Sequence, residues 1–409
     1  MISALADGET RIDNFATSAD CSSTVSCLES LGVKITRDGN TIVVNGVGKN
    51  GFAPPSGPLD CGNSGTTMRL LAGILAGQDF QSILCGDESL QKRPMKRVIE
   101  PLAKMGVDIG SDEGRAPLTI SGKGPLKAIE YRPPVASAQI KSCVLLAGLN
   151  SDGETSVIEP VPTRDHTERM LRWFGVNVKI DESGAGTRIT VSGDATLTAR
   201  DLNISSDISS AAFFMVAAAC LNESDITLPN VGFNASRSAI FDVLRKMGAD
   251  VQIVERDEVC NEPVATLSVR GGNSVPHRTE PNLVNGHTIA NLIDEIPILA
   301  VFGTQMEGGI EIRDAAELRV KESDRIAAIV ENLRRMGADV TEFDDGFKVG
   351  RSELKGSVVD SFGDHRIAMA FAVAGLLATG ESEIIGARCA DISFPGFFDT
   401  LAAVVREGD

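Results

Sequence analysis

One eight-residue phrase occurs five times along the chain and constrains its fold more than any other feature. The first copy reads Leu28-Glu-Ser-Leu-Gly-Val-Lys-Ile35 and the last reads Leu333-Arg-Arg-Met-Gly-Ala-Asp-Val340. Such a phrase is typical of a helix end, a glycine C-cap and a following strand. A spacing of 74, 69, 73 and 89 residues is too long for a solenoid and fits a small α/β subdomain. The glycines concerned are Gly32, Gly106, Gly175, Gly248 and Gly337.

The same elements surround each phrase. An alternating strand follows it, another strand precedes its helix, and a sixth copy is indicated by a strand at Glu383–Ile385. Six copies predict an α/β fold with two domains of three units, residues 1–204 and 205–409. Ala- and Leu-rich helices are predicted ahead of the strands, at Thr66–Gly77, Ala138–Leu149, Ser210–Leu221 and Arg366–Leu377.

The first copy is short at its front. In copies three and six, polar helix starts at Ser137 and Asp364 lie 16 residues before Gly153-Glu-Thr and Gly380-Glu-Ser. The matching phrase in copy one is Gly8-Glu-Thr. A polar helix start 16 residues before Gly8 would lie upstream of residue 1. We therefore expect the first polar helix start to belong to residues that precede the printed sequence.

Composition excludes several classes of protein. A net charge of −17 argues against nucleic acid as a partner, although a local cluster of Arg and Lys can still bind a small anion. The longest apolar stretch, Ala211–Leu221, is too short to span a bilayer, and the N-terminus shows no secretory signal. Four His and eight Cys without paired spacing predict neither a zinc site nor disulfides. The expectation is a reduced, cytoplasmic protein.

The most charged stretch, Glu317–Arg325, precedes an apolar helical pattern. If the helix begins inside the stretch, Lys321 and Arg325 share a face and Glu322 lies beside Arg325. Its cations would form an anion site at a helix start, and its acids would be proton-transfer candidates or orienters. A solvated helix start with internal ion pairs is the alternative. The side chains concerned are Arg319, Lys321, Arg325, Glu322 and Asp324.

Similar polar helix starts recur. Gly65 allows close backbone approach in the first, Lys141 adds an ammonium to the third, and an N-cap role would explain one of the pair Asp294 and Glu295. For His166 a capping or surface position is favoured over a catalytic base. Taken together, the starts indicate one cleft for a polyanion. They are Asn63–Arg69, Lys92–Arg97, Ser137–Lys141, Thr163–Arg169, Asp294–Glu295 and Asp364–Arg366.

These phrases resemble the 5-enolpyruvylshikimate-3-phosphate synthase family, from Ala4 to the C-terminus. The resemblance implies two inverse α/β-barrel-like domains, each built from three βαβαββ repeats. It rests on Gly62–Arg69, Arg93-Pro94, Ser137-Ala-Gln139, Thr163-Arg-Asp-His-Thr167, Asp294-Glu-Ile-Pro297, Leu318–Arg325 and Asp364-His-Arg366.

The resemblance implies transfer of the enolpyruvyl group of phosphoenolpyruvate to the 5-hydroxyl of shikimate-3-phosphate, with release of phosphate, in aromatic amino acid biosynthesis. It implies two small-molecule substrates and neither a cofactor nor a metal. We also expect a monomer, and the composition argues against a membrane and against nucleic acid. Asp294 is the implied base and Glu322 the implied proton-transfer group at C3. Shikimate-3-phosphate would be bound by Ser137, Gln139, Arg164, Asp294 and Lys321. Phosphoenolpyruvate would be bound by Gly65, Arg93, Gln139, Arg325 and Arg366.

Three departures from the family pattern stand out. The family's Gly-Asp-Lys-Ser-Ile-Ser-His-Arg motif has no counterpart, and losing its Lys would cost roughly 3 kcal/mol or more of transition-state stabilisation. Ile392-Ser-Phe-Pro395 stands where common bacterial members have Lys-Thr-Phe-Pro, and Glu317 stands where Asn is frequent. The resemblance also implies that glyphosate could inhibit the chain. We expect it to be sensitive to glyphosate, because Gly65 leaves room beside phosphoenolpyruvate.

Two alternatives stay open at this point. The first is a UDP-N-acetylglucosamine enolpyruvyl transferase, a family with a reactive Cys shortly before its Arg-Pro. Here Asp87–Lys92 precedes Arg93-Pro94 and contains no Cys, which argues against it. The second is a catalytically impaired homologue that binds anions without turnover, because the Lys motif is absent.

Overall fold

The glycine of each repeated phrase ends a helix, as predicted. All five have φ between 83° and 101°, a left-handed conformation that residues with a Cβ rarely adopt. The next residue donates its N–H to the carbonyl of the leucine that opens the phrase, over 2.9–3.1 Å. This bond is the signature of the Schellman motif, so the repeated phrase is a repeated helix stop.

A computed structural model describes residues 1–184, 186–272 and 282–406. They form two units. Unit 1 comprises Met1–Ile204 together with Val259–Glu262, and unit 2 comprises Ser205–Glu258 together with Pro263–Asp409. Each unit has its own buried apolar core.

Unit 1 contains three four-stranded sheets. Its strands are β1 (Asp7–Asp13), β2 (Lys34–Asp38), β3 (Thr41–Val47), β4 (Leu59–Asp60), β5 (Gln81–Cys85), β6 (Asp108–Asp112), β7 (Arg115–Ser121), β8 (Glu130–Tyr131), β9 (Glu154–Glu159), β10 (Lys179–Ser183), β11 (Gly186–Ser192) and β12 (Leu202–Asn203). The strand orders are β12-β1-β3-β2, β4-β5-β7-β6 and β8-β9-β11-β10. In each sheet the first two strands are parallel and the other pairs antiparallel.

Two apolar helices form the centre of unit 1. The helices of this unit are α1 (Ile2–Leu5), α2 (Ala19–Ser30), α3 (Gly65–Ala76), α4 (Glu88–Lys92), α5 (Lys96–Lys104), α6 (Ala138–Gly148) and α7 (His166–Trp173). Helices α3 and α6 are buried along most of their length and pack against each other. A helix that is apolar all round can only lie inside, so the sheets form the outer layer.

Unit 2 repeats this plan with sheets of three, four and two strands. Its strands are β13 (Asp225–Gly232), β14 (Asp250–Val259), β15 (Glu262–Arg270), β16 (Asn282–Val284), β17 (Ile310–Ile312), β18 (Val340–Phe343), β19 (Gly346–Val349), β20 (Val358–Asp360) and β21 (Glu383–Ile385). They pair in the orders β13-β15-β14, β16-β17-β19-β18 and β20-β21. The predicted strand at Glu383–Ile385 is confirmed as β21.

Three apolar helices, α8, α11 and α13 below, form the centre of unit 2 and pack pairwise. The unit contains α8 (Ile208–Cys220), α9 (Ala239–Lys246), α10 (His287–Leu292), α11 (Ile296–Gln305), α12 (Arg325–Arg335), α13 (His365–Leu377) and α14 (Phe397–Arg406). The four predicted Ala- and Leu-rich helices, now α3, α6, α8 and α13, are confirmed with ends within two residues of the predicted ones. Among all described residues, no helix is both long and apolar enough to cross a bilayer.

Candidate active site

The start of α3 carries two guanidinium groups. Ser64 caps the helix by accepting a hydrogen bond from the N–H of Thr67, and Gly65 is the first helical residue. A Cβ at Gly65 would lie 2.8 Å from Nη1 of Arg69 and 3.4 Å from Nη1 of Arg93. Glycine at this position therefore keeps space beside two cations and a helix N-terminus, a combination that suits an anion.

The start of α6 joins the same cluster. Gln139 accepts a 2.6 Å bond from Arg69 Nη1 and donates through Nε2 to Thr66 Oγ1. Arg93 lies between α4 and α5, not inside a helix start, and donates to Asn63 Oδ1 over 2.8 Å. The structure thus brings together three predicted binding residues, Gly65, Arg93 and Gln139. Arg69 links them and had been assigned no role, although it lies within the quoted phrase one turn after Gly65.

The other predicted residues of unit 1 lie at the start of α6 and in the segment between β9 and α7. Ser137 caps α6 by accepting from the N–H of Ile140, and Arg164 lies just before Asp165, the N-cap of α7. The Lys141 ammonium does not face the site, because it is buried between Glu159 and Glu168. His166 contacts Glu262 with a side chain 47% exposed, which agrees with the surface position predicted for it.

In unit 2 the charged stretch folds differently from the prediction. Ala316–Val320 form a 3-10 helix, and α12 begins only at Arg325. Lys321 therefore precedes α12, and the prediction that it shares a helical face with Arg325 is wrong. Asp324 is the N-cap of α12 and accepts a hydrogen bond from the N–H of Ala327.

The predicted group of three cations is also dispersed. Arg319 bonds to Asp324 at 2.9 Å and to Glu342 at 3.0 Å, and Lys321 lies 3.3 Å from Glu317. The unusual Glu317 thus has a local ion-pair partner. The alternative of internal ion pairs applies to these two cations.

Arg325 is the centre of the polar cluster in unit 2. Its side chain is 1% exposed, with Nε 2.7 Å from Asp364 and Nη2 2.7 Å from Glu322. The predicted neighbourhood of Glu322 and Arg325 is confirmed. Burial alone would lower the pKa of Arg325, but Asp364 and Glu322 outweigh it and raise that pKa. Nη1 lies 3.5 Å from Asp294 and has no hydrogen-bond partner among the described residues.

Asp294 lies between two guanidinium groups. Besides Arg325, it is 3.4 Å from Nη1 of Arg237, whose Nη2 is 3.1 Å from Asp207 and donates to Ser209 over 2.8 Å. Glu295 occupies the N-cap position of α11, but its side chain makes no capping hydrogen bond, so the predicted N-cap role accounts for neither Glu295 nor Asp294.

Arg237 was assigned no role from the sequence, yet the repeat contains a signal for it. In three other copies an arginine precedes or opens the helix that ends at the phrase glycine, and Arg237 holds that place in copy four. Comparing the copies by their glycines would have indicated it, since it lies 11 residues before Gly248 and the other three arginines lie 11 to 13 residues before theirs. The others are Arg93, Arg164 and Arg325.

Glu295 is buried at the start of α11, and His365 is half-buried at the start of α13. Burial raises the pKa of Glu295 to about 7, despite the nearby Arg237 and Arg366, and its Oε1 accepts from the Ser209 hydroxyl. Arg366 Nη1 lies 3.9 Å from Glu295. Burial and the adjacent Arg366 lower the pKa of His365 to about 4, so its imidazole is neutral at pH 7. The cluster therefore contains a carboxyl group that can exchange a proton near neutral pH.

Both clusters are assembled from helix starts. In unit 1 they offer cations, an amide and N–H groups to an anion, and in unit 2 they offer carboxylates aligned by arginines. In the described parts of the chain, no group of three or more His, Cys, Asp or Glu side chains could hold a metal ion. The roles of the individual residues stay predictions.

Comparison with known proteins connects these clusters to a family. The sequence profile of EPSP synthase (3-phosphoshikimate 1-carboxyvinyltransferase) matches residues 1–401. A 3-phosphoshikimate 1-carboxyvinyltransferase of Solibacter usitatus is 49% identical over 408 residues, 99% of this chain and 93% of the relative. One of Pelotomaculum thermopropionicum is 52% identical over 409 residues, with the same shares.

The fold agrees with this match. The solved structure of EPSP synthase from Acinetobacter baumannii matches with a TM-score of 0.88 and 40% identity, covering 99% of this chain and 92% of that one. The predicted fold class is therefore confirmed, and the match favours this family over the UDP-N-acetylglucosamine transferases. The chain belongs to the EPSP synthase family.

Proposed function

We propose that the chain transfers the enolpyruvyl group of phosphoenolpyruvate to the 5-hydroxyl of shikimate-3-phosphate and releases phosphate. The observation that carries this proposal is the cluster of Gly65, Arg93 and Gln139, which the sequence motifs predicted. The relatives that match this chain over 93% of their length are named for the same activity. Both substrates are polyanions, and cations at helix starts are suited to bind them.

In unit 1 we assign the anion contacts. Arg93 and the N–H groups at Gly65 bind phosphoenolpyruvate, whose carboxylate and phosphate call for planar, bidentate donors. Gln139 is held by Arg69 and can contact either substrate, while Ser137 and Arg164 bind shikimate-3-phosphate. Three of these five contacts come from the starts of α3 and α6.

In unit 2 we assign the proton transfers. Asp294 removes the proton of the 5-hydroxyl as its oxygen bonds to C2 of phosphoenolpyruvate, and Glu322 delivers a proton to C3. In the second step Glu322 takes a proton back from C3, and the bond between C2 and the phosphate oxygen breaks to release phosphate. Lys321 contacts a ring hydroxyl of shikimate-3-phosphate. Both acids are only partly exposed, 18% and 26%, which reduces competition from water.

Arg325 and Arg366 complete the phosphoenolpyruvate contacts. Because Nε and Nη2 of Arg325 already bond to carboxylates and its Nη1 is buried, a substrate reaches Nη1 only if neighbouring side chains move. Its main effect is then to hold Asp294 and Glu322 in position. Arg366 is 12% exposed and lies beside Glu295, whose proton exchange near pH 7 tunes the local charge.

Further features of the chain extend the proposal. It acts as a cytoplasmic monomer without nucleic acid or organic cofactor, and its domains are residues 1–204 and 205–409. The division between Ile204 and Ser205 in the two units supports this domain boundary. The net charge of −17 supports the absence of a nucleic-acid partner.

Phosphate release tests the proposed function. The chain is incubated with shikimate-3-phosphate and phosphoenolpyruvate, with controls that omit each substrate and one that offers UDP-N-acetylglucosamine as the acceptor. Release that requires both shikimate-3-phosphate and phosphoenolpyruvate supports the proposal. Release only with the nucleotide sugar would support the other transferase. Calorimetric binding of shikimate-3-phosphate without release would support an anion-binding homologue, and neither binding nor release would contradict both.

A further inference from the structure

A buried lysine lies directly behind the predicted shikimate-3-phosphate contacts. Lys141 is on α6, one turn after Ser137, and is 1% exposed. Its ammonium lies 2.9 Å from Glu159 and 2.8 Å from Glu168, which are also buried. Burying three charges is costly, and an apolar side chain would pack into α6 at lower cost. The position therefore calls for an explanation other than stability.

The two carboxylates flank one segment of chain. Glu159 is the last residue of β9, and Glu168 lies in the first turn of α7. Residues 160–167 connect them, and Arg164 lies within this connection. Lys141 thus holds both ends of the segment that carries a predicted substrate contact.

Further bonds hold the segment. The carbonyl of Thr163 is 3.5 Å from the Lys141 ammonium, and Thr163 donates to Glu159 through its N–H and its hydroxyl. The Ser142 hydroxyl lies 2.6 Å from that of Thr167. Consecutive residues of α6 therefore bind the segment just before and just after Arg164.

We propose that Lys141 is a positioning residue, which sets the place of Arg164 relative to Ser137 and Gln139 for binding shikimate-3-phosphate. This rests on the proposed function for the roles of those three residues. Ser137 and Gln139 are on the first turn of α6, and Lys141 on the next, so one rigid helix carries two contacts and the anchor for the third. Displacing a contact by about 1 Å can cost on the order of 100-fold.

The electrostatics explain why an ammonium is needed. Burial raises the pKa of Glu168, and Lys141 only partly offsets it. One oxygen of Glu168 is buried without a hydrogen-bond partner among the described residues. Without Lys141, two buried carboxyl groups would face each other with no cation, and the segment would move to solvate them.

Kinetics of Lys141→Met test the proposal. We expect the KM for shikimate-3-phosphate to rise about 10- to 100-fold while the KM for phosphoenolpyruvate changes less than about twofold. The matched control is Lys179→Met, which removes an ammonium from an exposed pair with Glu154 in the same unit and should change neither constant. Adding Glu168→Gln to Lys141→Met should recover part of the lost affinity, because the introduced amide is uncharged and can donate to Glu159.

A purely structural role gives a different pattern. It would lower kcat in proportion to the folded fraction and leave both KM values unchanged, or raise both together; either result overturns the proposal. If Lys141→Met does not fold, Ser142→Ala severs the bond to Thr167 alone and should still raise the KM for shikimate-3-phosphate about threefold, by the loss of one hydrogen bond. An unchanged KM there would also overturn it.

Hydrogen exchange separates this proposal from the proposed function. Faster exchange of the amides of Val161 and of residues 163–167 in Lys141→Met, or in Ser142→Ala, is expected even if the wild-type chain neither turns over nor binds shikimate-3-phosphate. Unchanged exchange would overturn the anchoring itself. Failure of the wild-type chain to release phosphate would count against the proposed function alone.

Discussion

The central helices of the two units begin with different N-caps, although they belong to the same repeat. In unit 1, α3 and α6 are capped by the hydroxyls of Ser64 and Ser137. In unit 2, α8 and α13 are capped by the carboxylates of Asp207 and Asp364. An N-cap needs only an oxygen that accepts from a backbone N–H, and both chemistries satisfy it. The repeat thus leaves the charge of the helix start free to differ between units.

The surroundings of the neighbouring arginines also differ between the serine caps of unit 1 and the aspartate caps of unit 2. Beside the neutral caps of unit 1, Arg69 and Arg93 have their guanidinium groups next to Gly65, in a position to receive an anion. Beside the acidic caps of unit 2, Arg237 and Arg325 are occupied by carboxylates. The comparison shows that unit 1 presents guanidinium groups at these helix starts and that unit 2 presents carboxylates aligned by arginines.

The largest effect expected from this difference concerns Arg325. Arg325→Met leaves three carboxylates without their shared cation, and one of them, Asp364, is fully buried. We expect the free energy of unfolding to fall by about 3–5 kcal/mol, measured by urea denaturation. Arg335→Met, on the exposed part of the same helix, should cost less than about 1 kcal/mol. An equal decrease in the free energy of unfolding of the two variants would contradict the central role of Arg325 in unit 2.

Asp294→Asn tests the acids of unit 2. We expect kcat to fall by roughly 10²–10⁴-fold, because no other assigned group takes the proton of the 5-hydroxyl. Affinity for phosphoenolpyruvate, assigned mainly to unit 1, should change little in calorimetry. Asp225→Asn, which removes an exposed carboxylate of the same unit, provides the control. A kcat within tenfold of wild type would rule out Asp294 as the base.

The buried Glu295 predicts a dependence of stability on pH. Its pKa is about 7 in the folded protein, against an ordinary value of 4.5, so the folded state binds the proton more tightly. The resulting stabilisation, roughly 3 kcal/mol, is fully present below the ordinary pKa and is lost as pH rises through the folded one. The free energy of unfolding of Glu295→Gln should therefore fall less than that of the wild type as pH rises from about 4.5 to about 7, measured by denaturation at a series of pH values. A control, Glu331→Gln on the exposed face of α12, should follow the wild type; identical slopes for all three would contradict the assignment.

Gly65→Ala is expected to give the smallest effect and sharpens the comparison in unit 1. The added methyl group would lie 2.8 Å from Arg69 Nη1 and displace the cations. We expect the KM for phosphoenolpyruvate to rise about tenfold, equivalent to roughly 1.4 kcal/mol, and inhibition by glyphosate to weaken. The control is Gly57→Ala, where a Cβ meets nothing within 4 Å. A larger effect on shikimate-3-phosphate than on phosphoenolpyruvate would instead place that substrate beside Gly65.

Sequence patterns predicted the parts of this fold that depend on local interactions. The glycine at each helix end, the apolar central helices and the strands around them follow from backbone conformation and side-chain periodicity, which are properties of neighbouring residues. The cluster of Gly65, Arg93 and Gln139 was predicted through motifs. Helix α12 begins only at the last residue of the charged stretch, because Asp324 caps it while Ser323, an equally suitable cap, donates to Asp364 instead.

The sequence by itself determined the repeat, the helix stops and the residues available at each helix start. Only the tertiary structure decided which charges meet: Lys141 with Glu159 and Glu168, Arg237 with Asp294, and Arg325 with Asp364. These partners are 18 to 57 residues apart. Electrostatic partners are set by distance and burial in space, and neither can be read from separation along a chain.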